Sequence, residues 1–103
     1  MTIRNYCILT LFLFLGHSIY CQEKFTLSGI VSDASSNETL IGVNIIFPEL
    51  KTGATTNEYG FYSITLPNGT YEVVISYLGY QTQTETINLS ENQKKDFSLI
   101  SII

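Results

Sequence analysis

The chain has 103 residues, 45% of them hydrophobic and 14% charged, with a formal net charge of −4. This length allows one domain. The five basic residues are outnumbered by nine acidic ones, which argues against a nucleic-acid partner, because such binding depends on Lys and Arg that neutralise phosphates.

The first 21 residues have the pattern of a signal peptide. One basic residue precedes an apolar run over residues 7–15, which is short for a membrane span or an uncleaved anchor. Cleavage is expected after Cys21, which would leave residues 22–103 as an exported domain. Lipidation of Cys21 is the alternative, and Tyr20 disfavours it, because Gly, Ala or Ser normally precedes a lipidated cysteine.

This cleavage would remove both cysteines and the single histidine, His17. The domain would then lack disulfides, metal centres with His or Cys ligands, and Cys–His or Ser–His–Asp catalysis. Carboxylates could still act as a pair, but the sequence does not bring Asp33, Glu38 and Glu58 together. We therefore predict a domain that is not an enzyme, with no catalytic, metal-binding or cofactor-binding residues and no cofactor.

The exported part is predicted to consist of short strands, because apolar and polar residues alternate in runs separated by turn residues. No segment has sustained helical periodicity. The fold class predicted is all-β, an antiparallel β-sandwich of about seven strands. The predicted strands cover residues 25–32, 43–47, 53–56, 60–66, 71–77, 80–89 and 94–100.

Turn residues separate these strands. Asn57 and Gly60 bound a turn in which the glycine supplies a positive φ. Asn68 and Gly69 form the strongest turn signal, and they predict a hairpin with positive φ that pairs the strands on either side. A further turn is expected at Gly79.

The aromatic residues have two interpretations. Alternate aromatic side chains on strands usually belong to the core, so we predict core positions for Phe61, Tyr71 and Tyr77. The same interpretation is favoured for the turn residues Tyr59 and Tyr80. The alternative is an exposed platform that stacks on a sugar ring or contacts a partner.

Two segments could contact a partner strand or the rest of a longer protein. The Thr-rich run over residues 82–86 is expected at a sheet edge, where it could accept a partner strand, although an ordinary solvent-facing edge is favoured. Residues 97–103 are apolar to the last position, whereas a free terminus is usually polar. Either this strand is buried or the sequence is a piece of a longer protein.

Four fragments in order resemble a known family: residues 29–33, 40–45, 53–62 and 76–80. Together they are similar to the carboxypeptidase-D regulatory-like domain, a transthyretin-like β-sandwich, over about residues 25–99. Thr39 and Asn57 depart from the family's usual Pro and Asp, and with Asn57 a carboxylate that could bind a cation is lost. The turn and motif positions singled out are Gly29, Asp33, Gly42, Asn57, Gly60, Phe61, Asn68, Gly69, Gly79 and Tyr80.

The resemblance implies a function. In bacteria, similar domains follow a signal peptide and precede the plug and barrel of TonB-dependent outer-membrane receptors. It therefore implies a non-catalytic accessory domain, exported to the periplasm or outer membrane, with protein partners there, as the N-terminal extension of such a receptor or as a truncated relative of one. The alternative is a stand-alone secreted module that binds a glycan or a peptide.

Overall fold

The computed structural model describes residues 22–103. The predicted signal peptide, its cleavage site and Cys21 lie outside the described residues. Within the described part, no helix has the length and apolar character needed to cross a membrane. This part contains eight strands: β1 (Lys24–Asp33), β2 (Asn44–Phe47), β3 (Thr52–Thr55), β4 (Phe61–Pro67), β5 (Gly69–Ser76), β6 (Gln83–Leu89), β7 (Gln93–Lys94) and β8 (Phe97–Leu99), with a 3₁₀ turn over Pro48–Leu50.

The strands form two four-stranded sheets. The first contains β4, β1, β7 and β8, with β1 paired to all three others, and the second has the order β3–β2–β5–β6. The all-β sandwich predicted from the sequence is confirmed. The pairing is not wholly antiparallel, because β7 and β8 run parallel to β1. The strand predicted over residues 94–100 is thus split in two, which gives eight strands in place of about seven.

The core lies between the two sheets and comes from alternate positions along each strand. In β5, for example, Val73 and Ile75 are fully buried, whereas Glu72 is exposed. Burying each such aliphatic side chain contributes about 1.5–3 kcal/mol relative to leaving it in water. The core residues are Leu27, Val31, Val43, Ile45, Phe47, Tyr62, Leu66, Val73, Ile75, Ile87, Leu89, Phe97 and Leu99.

The predicted hairpin at Asn68 and Gly69 is wrong. Here β4 lies in the first sheet and β5 in the second, so the chain crosses between sheets and the two strands do not pair. Neither residue has a positive φ. The Asn68 N–H instead donates to the Glu23 carbonyl at 2.8 Å, and the Tyr71 hydroxyl donates to the Pro67 carbonyl at 2.7 Å. These contacts override the local preference of an Asn-Gly pair for a hairpin turn.

Gly29 allows the interruption between β7 and β8. A Cβ at this position would overlap the Lys95 carbonyl, so only glycine fits where the connecting residues pack against β1. The buried Tyr62 hydroxyl donates to the same carbonyl at 2.5 Å, and the Asp96 carboxylate accepts from the Ile30 N–H at 2.8 Å. Burial, together with the negative charges of Asp96 and Glu85, raises the pKa of Tyr62 well above its usual value.

The strand directions place two sets of loops at opposite poles of the sandwich. The start of β1 and the β4–β5 crossover lie at one pole, as the register of Lys24 with Pro67 requires. The end of β1 lies at the other pole, where Asp33 pairs with Leu99. That second pole also receives the segments 34–43, 57–60, 77–82 and 100–103.

Candidate interaction surface

Asp33 organises the second pole. It is the last residue of β1, and its Oδ1 accepts hydrogen bonds from the N–H of Ser35 at 2.8 Å, the hydroxyl of Ser35 at 2.7 Å and the N–H of Ser36 at 3.0 Å. Its Oδ2 accepts from the Tyr80 hydroxyl at 2.7 Å. The Ser35 and Tyr80 hydroxyls, then the backbone donors, hold the pKa of Asp33 far below its usual range. Such a carboxylate is poorly suited to general acid or base chemistry near neutral pH.

Tyr80 connects this carboxylate to the second sheet. It follows β5, and its ring packs on the Tyr77 ring with the centroids 5.6 Å apart and the planes inclined by 36°. The hydrogen bond to Asp33 raises the pKa of the Tyr80 hydroxyl above its usual value. The pair therefore joins the β1–β2 loop to the β5–β6 connection across the sandwich.

Thr56, the residue after β3, anchors the β1–β2 loop by hydrogen bonds. Its buried hydroxyl donates to the Leu40 carbonyl at 2.6 Å and accepts from the Val43 N–H at 2.9 Å. Its backbone also bonds to Gly42 and Val43. Sequence reasoning missed this residue, although alternation from Ala54 already places Thr56 on the inward side.

Residues 100–102 pair with the β5–β6 connection. The Gln81 N–H donates to the Ile100 carbonyl at 2.8 Å, and the Ile102 N–H donates to the Gly79 carbonyl at 3.0 Å. Tyr80 and Ser101 form an antiparallel bridge between these bonds. Gly79 has a φ of 87°, a conformation that favours glycine, and this turn brings the preceding Leu78 to the tip of the connection.

Several aliphatic side chains at this pole are exposed to solvent. Ile41 is 56% exposed, Leu78 95%, Ile102 63%, and Ile103 is fully exposed. The segments that carry them lie close together, because a Cβ at Gly42 would lie 3.9 Å from the Tyr77 ring and one at Gly79 would lie 3.6 Å from the Ile103 side chain. We name this surface the apolar pole and define it by Ile41, Tyr77, Leu78, Tyr80, Ile102 and Ile103.

Charge is distributed unevenly around the apolar pole. The charged side chains in the loops there are Glu38 and Glu58, both exposed. All four lysines of residues 22–103 lie in other segments: Lys24, Lys51, Lys94 and Lys95. The loops at this end of the sandwich therefore carry acidic side chains and no basic ones.

A second exposed apolar area lies on the outer face of the first sheet. Phe61 faces Ile30 in the β1–β4 register, and the two are 42% and 38% exposed. Tyr59, in the preceding turn, is 70% exposed. The core positions predicted for Phe61 and Tyr59 are therefore wrong, because alternation along β4 buries Tyr62 instead. Tyr71, Tyr77 and Tyr80 do pack against the core.

The motif positions singled out from the sequence fall into three places. Asp33, Gly42, Gly79 and Tyr80 meet at the apolar pole, and Gly42 has a φ of 84°. Asn57 and Gly60 belong to the turn before β4 and Phe61 begins that strand; the Asn57 Oδ1 accepts from the N–H groups of Tyr59 and Phe61. Gly29 lies in β1, and Asn68 and Gly69 lie at the opposite pole.

No group of three or more His, Cys, Asp or Glu side chains within residues 22–103 is arranged to hold a metal ion. Asp33 has its two carboxylate oxygens occupied by the four donors described above.

Comparison with known proteins identifies the family. The model of the CarboxypepD_reg-like domain matches residues 27–101, almost all of the sandwich. The chain belongs to this family. The CarboxypepD_reg-like family and its fold are those of a non-catalytic domain.

Curated relatives include two receptors of Formosa agariphila. TonB-dependent receptor P3 is 34% identical over 86 residues, which are 82% of this chain and 8% of the relative. TonB-dependent receptor P39 is 48% identical over 69 residues, 59% of this chain and 7% of the relative. A viral relative, structural protein 27 of the isolate Australia/Victoria, is 35% identical over 78 residues, 75% of this chain and 15% of the relative. The chain thus spans less than a sixth of the length of each.

Solved structures share the fold of this CarboxypepD_reg-like domain. A chain of a type II cohesin–X-dockerin complex from Acetivibrio cellulolyticus has a TM-score of 0.63 and 21% identity, and the match covers 74% of this chain and 55% of that one. A DUF3823 family protein from Parabacteroides merdae has a TM-score of 0.60 and 14% identity, covering 79% of this chain and 48% of that one.

Proposed function

We propose that the chain is an exported, non-catalytic accessory domain of the TonB-dependent receptor system that works by contacting protein partners at the outer membrane. The single observation that carries this proposal is the similarity of the domain to two such receptors. The predicted signal peptide over residues 1–21 is consistent with export.

The apolar pole supports contact as the mode of action. Monomeric proteins seldom expose several neighbouring aliphatic side chains without a partner for them. Here Ile41 and Leu78 protrude from segments that Thr56 and the Asp33–Tyr80 pair hold in place. A surface held in one conformation loses little entropy on binding. The occurrence of the fold in a cohesin–X-dockerin complex also supports protein contact.

Fractionation of a Gram-negative host that expresses the full chain tests the proposal. An antibody against residues 22–103 should find the protein in the periplasmic or outer-membrane fraction, with Gln22 as its first residue. A Cys21→Ser variant serves as the control for lipidation, and it should be processed and located as the parent is. Retention in the cytoplasm would contradict export, and an acylated Cys21 would contradict the predicted processing.

A stand-alone module that binds a glycan or a peptide is the second candidate, and one observation favours it. Tyr59 and Phe61 are both exposed, one in the turn before β4 and the other just after it, and aromatic faces of this kind stack on sugar rings and extended peptides. Calorimetry with pools of oligosaccharides and peptides tests this. Binding by the parent that Tyr59→Ala abolishes and Thr65→Ala preserves would support the module, and no heat from any pool would refute it.

A further inference from the structure

We infer that the outer edge of β4 binds an extended peptide segment of a protein partner, which pairs with Ser63 and Thr65 as an added antiparallel strand. The inference rests on the proposed contact with protein partners, and it assigns a contact surface that is separate from the apolar pole. It does not depend on export or on the receptor. The evidence lies in the backbone hydrogen bonds along β4 and in the side chains that this strand presents.

β4 is an edge strand, because it pairs with β1 and with no other strand of residues 22–103. The Val31 N–H donates to the Gly60 carbonyl at 2.9 Å, and these two residues lie opposite each other in the continued β1–β4 register. They therefore form a hydrogen-bonded pair. Antiparallel alternation then directs the N–H and carbonyl groups of the even-numbered β4 residues towards β1, and those of the odd-numbered residues towards the outer edge.

The two ends of this outer edge are closed, and its middle is open. At the start of β4, the Asn57 side chain accepts from the Phe61 N–H at 3.1 Å, and the Asn57 N–H donates to the Phe61 carbonyl at 2.9 Å. At the end of β4, Pro67 has no N–H, and its carbonyl accepts from a tyrosine hydroxyl at 2.7 Å. Ser63 and Thr65 lie between these ends. Both are exposed, and their four backbone groups have no partner within residues 22–103.

The open groups match an extended backbone. A strand that runs antiparallel to β4 can place one residue opposite Ser63 and the next but one opposite Thr65, and each of these pairs exchanges two N–H to carbonyl hydrogen bonds. Such main-chain bonds give affinity when a peptide adds a strand to a sheet, and the neighbouring side chains give specificity. β4 contains no charged side chain, and its proline is its last residue, so the middle of this edge lacks the usual protection from pairing.

The side chains of β4 define the sequence that fits. Ile64 lies on the inner face, packs against the core and is half-buried, so an aliphatic residue opposite it would cover its exposed part as a cross-strand pair. On the outer face, Ser63 lies opposite Ser28 and Thr65 opposite Thr26, which makes a row of hydroxyl groups beside the open edge. The occupant is therefore an extended segment with a β-branched aliphatic residue between two Ser or Thr residues.

An NMR titration of isotope-labelled protein, purified after expression of the full chain, tests the inference. The probe is a synthetic nine-residue peptide of alternating threonine and valine. One control peptide carries N-methyl groups on its threonines, whose N–H groups would pair with β4. The matched control carries them on its valines, whose N–H groups would face away from β4.

Two protein variants probe the other side of the contact. Ser63→Pro removes an outward N–H, and proline is tolerated on an edge strand where the N–H faces solvent. Ser63→Ala is its matched control, because it removes the hydroxyl and keeps the N–H. If Ser63→Pro alters the circular dichroism spectrum, the two N-methylated peptides decide alone.

The peptide should shift the amide resonances of Ser63 and Thr65 with a dissociation constant of about 1 mM or tighter. Ser63→Pro and the N-methyl-threonine peptide should each raise this constant about tenfold or more, whereas Ser63→Ala and the N-methyl-valine peptide should leave it nearly unchanged. The titration needs no export, so its failure is distinguishable from a failure of the fractionation experiment.

Three results would overturn the inference. The first is the absence of shifts at Ser63 and Thr65 at millimolar peptide. The second is equal binding by the two N-methylated peptides, or unchanged binding by a folded Ser63→Pro variant. The third is a shift of the same two resonances with protein concentration alone, because a second copy of the chain would then occupy the edge.

Discussion

The Tyr80 hydroxyl donates to the Asp33 carboxylate at 2.7 Å, across the two sheets of the sandwich. Asp33 ends the central strand of the first sheet, and Tyr80 belongs to the turn that leaves the second. The bond therefore locks together the two loops that present Ile41 and Leu78. The fixed conformation of the loops at the apolar pole depends on this pair and on Thr56.

Replacing Asp33 with Asn should destabilise the domain in a pH-dependent way. The folded state holds the pKa of Asp33 below its unfolded value of about 3.9. The ionised carboxylate therefore stabilises the fold above that value, and this contribution is lost as the pH falls towards the folded-state pKa. Thermal unfolding followed by circular dichroism should show a clear loss of melting temperature at pH 7 that narrows below about pH 4.

Glu58→Gln is the matched control for this measurement, because Glu58 is an exposed carboxylate in the turn before β4. This variant should have a melting temperature close to that of the parent both at pH 7 and below about pH 4. A difference in melting temperature between Asp33→Asn and the parent that stays constant from pH 7 to pH 2 would show that the charge of the carboxylate does not contribute to stability.

Thr56→Val should cost about 1–3 kcal/mol of unfolding free energy, because a methyl group replaces the hydroxyl and leaves the Leu40 carbonyl and the Val43 N–H without their partner. Chemical denaturation measures this change. The neighbouring Thr55→Val alters an exposed position and should have little effect. Equal costs at both positions would refute the role assigned to the Thr56 hydroxyl.

Gly29→Ala should destabilise the first sheet, because the added methyl group overlaps the Lys95 carbonyl where the chain passes between β7 and β8. We expect a loss of about 1–3 kcal/mol or more. Ser28→Ala, one residue earlier in the same strand, removes atoms and adds none, and it should be tolerated. A Gly29→Ala variant as stable as the parent would mean that the residues between β7 and β8 do not pack against Gly29 as described.

Tyr62→Phe should cost about 1 kcal/mol near neutral pH through the lost hydrogen bond to Lys95. The folded state raises the pKa of Tyr62 above the unfolded value of about 10. Its contribution is therefore complete below about pH 10 and declines as the pH rises towards the folded-state pKa. Denaturation at pH 7 and pH 11 should show the gap between variant and parent closing, and a gap that widens would contradict this assignment.

The fold could be predicted from the sequence because alternation and turn residues are local signals. The burial of Val73 and Ile75 on one face of β5 follows from period two alone, and so does the burial of Ile87 and Leu89 on one face of β6. The positive φ at Gly60 follows from its turn. These features depend on residues within a few positions of one another.

The pairing partners could not be predicted, because they depend on distant contacts. Nothing near Asn68 shows that the chain leaves one sheet for the other, and nothing near Lys95 shows that it runs parallel to β1. The apolar pole was missed for the same reason. Ile41, Leu78 and Ile103 lie far apart in the sequence, and only the fold brings them together.

Site-specific photo-crosslinking from position 78 in the full chain, expressed in a Gram-negative host, tests the central claim most directly. A photoreactive residue in place of Leu78 should yield one discrete crosslinked product. The same residue in place of Thr86, on the outer face of the second sheet, should yield none. No product from position 78, or equal products from both positions, would contradict the claim that this domain acts through its apolar pole.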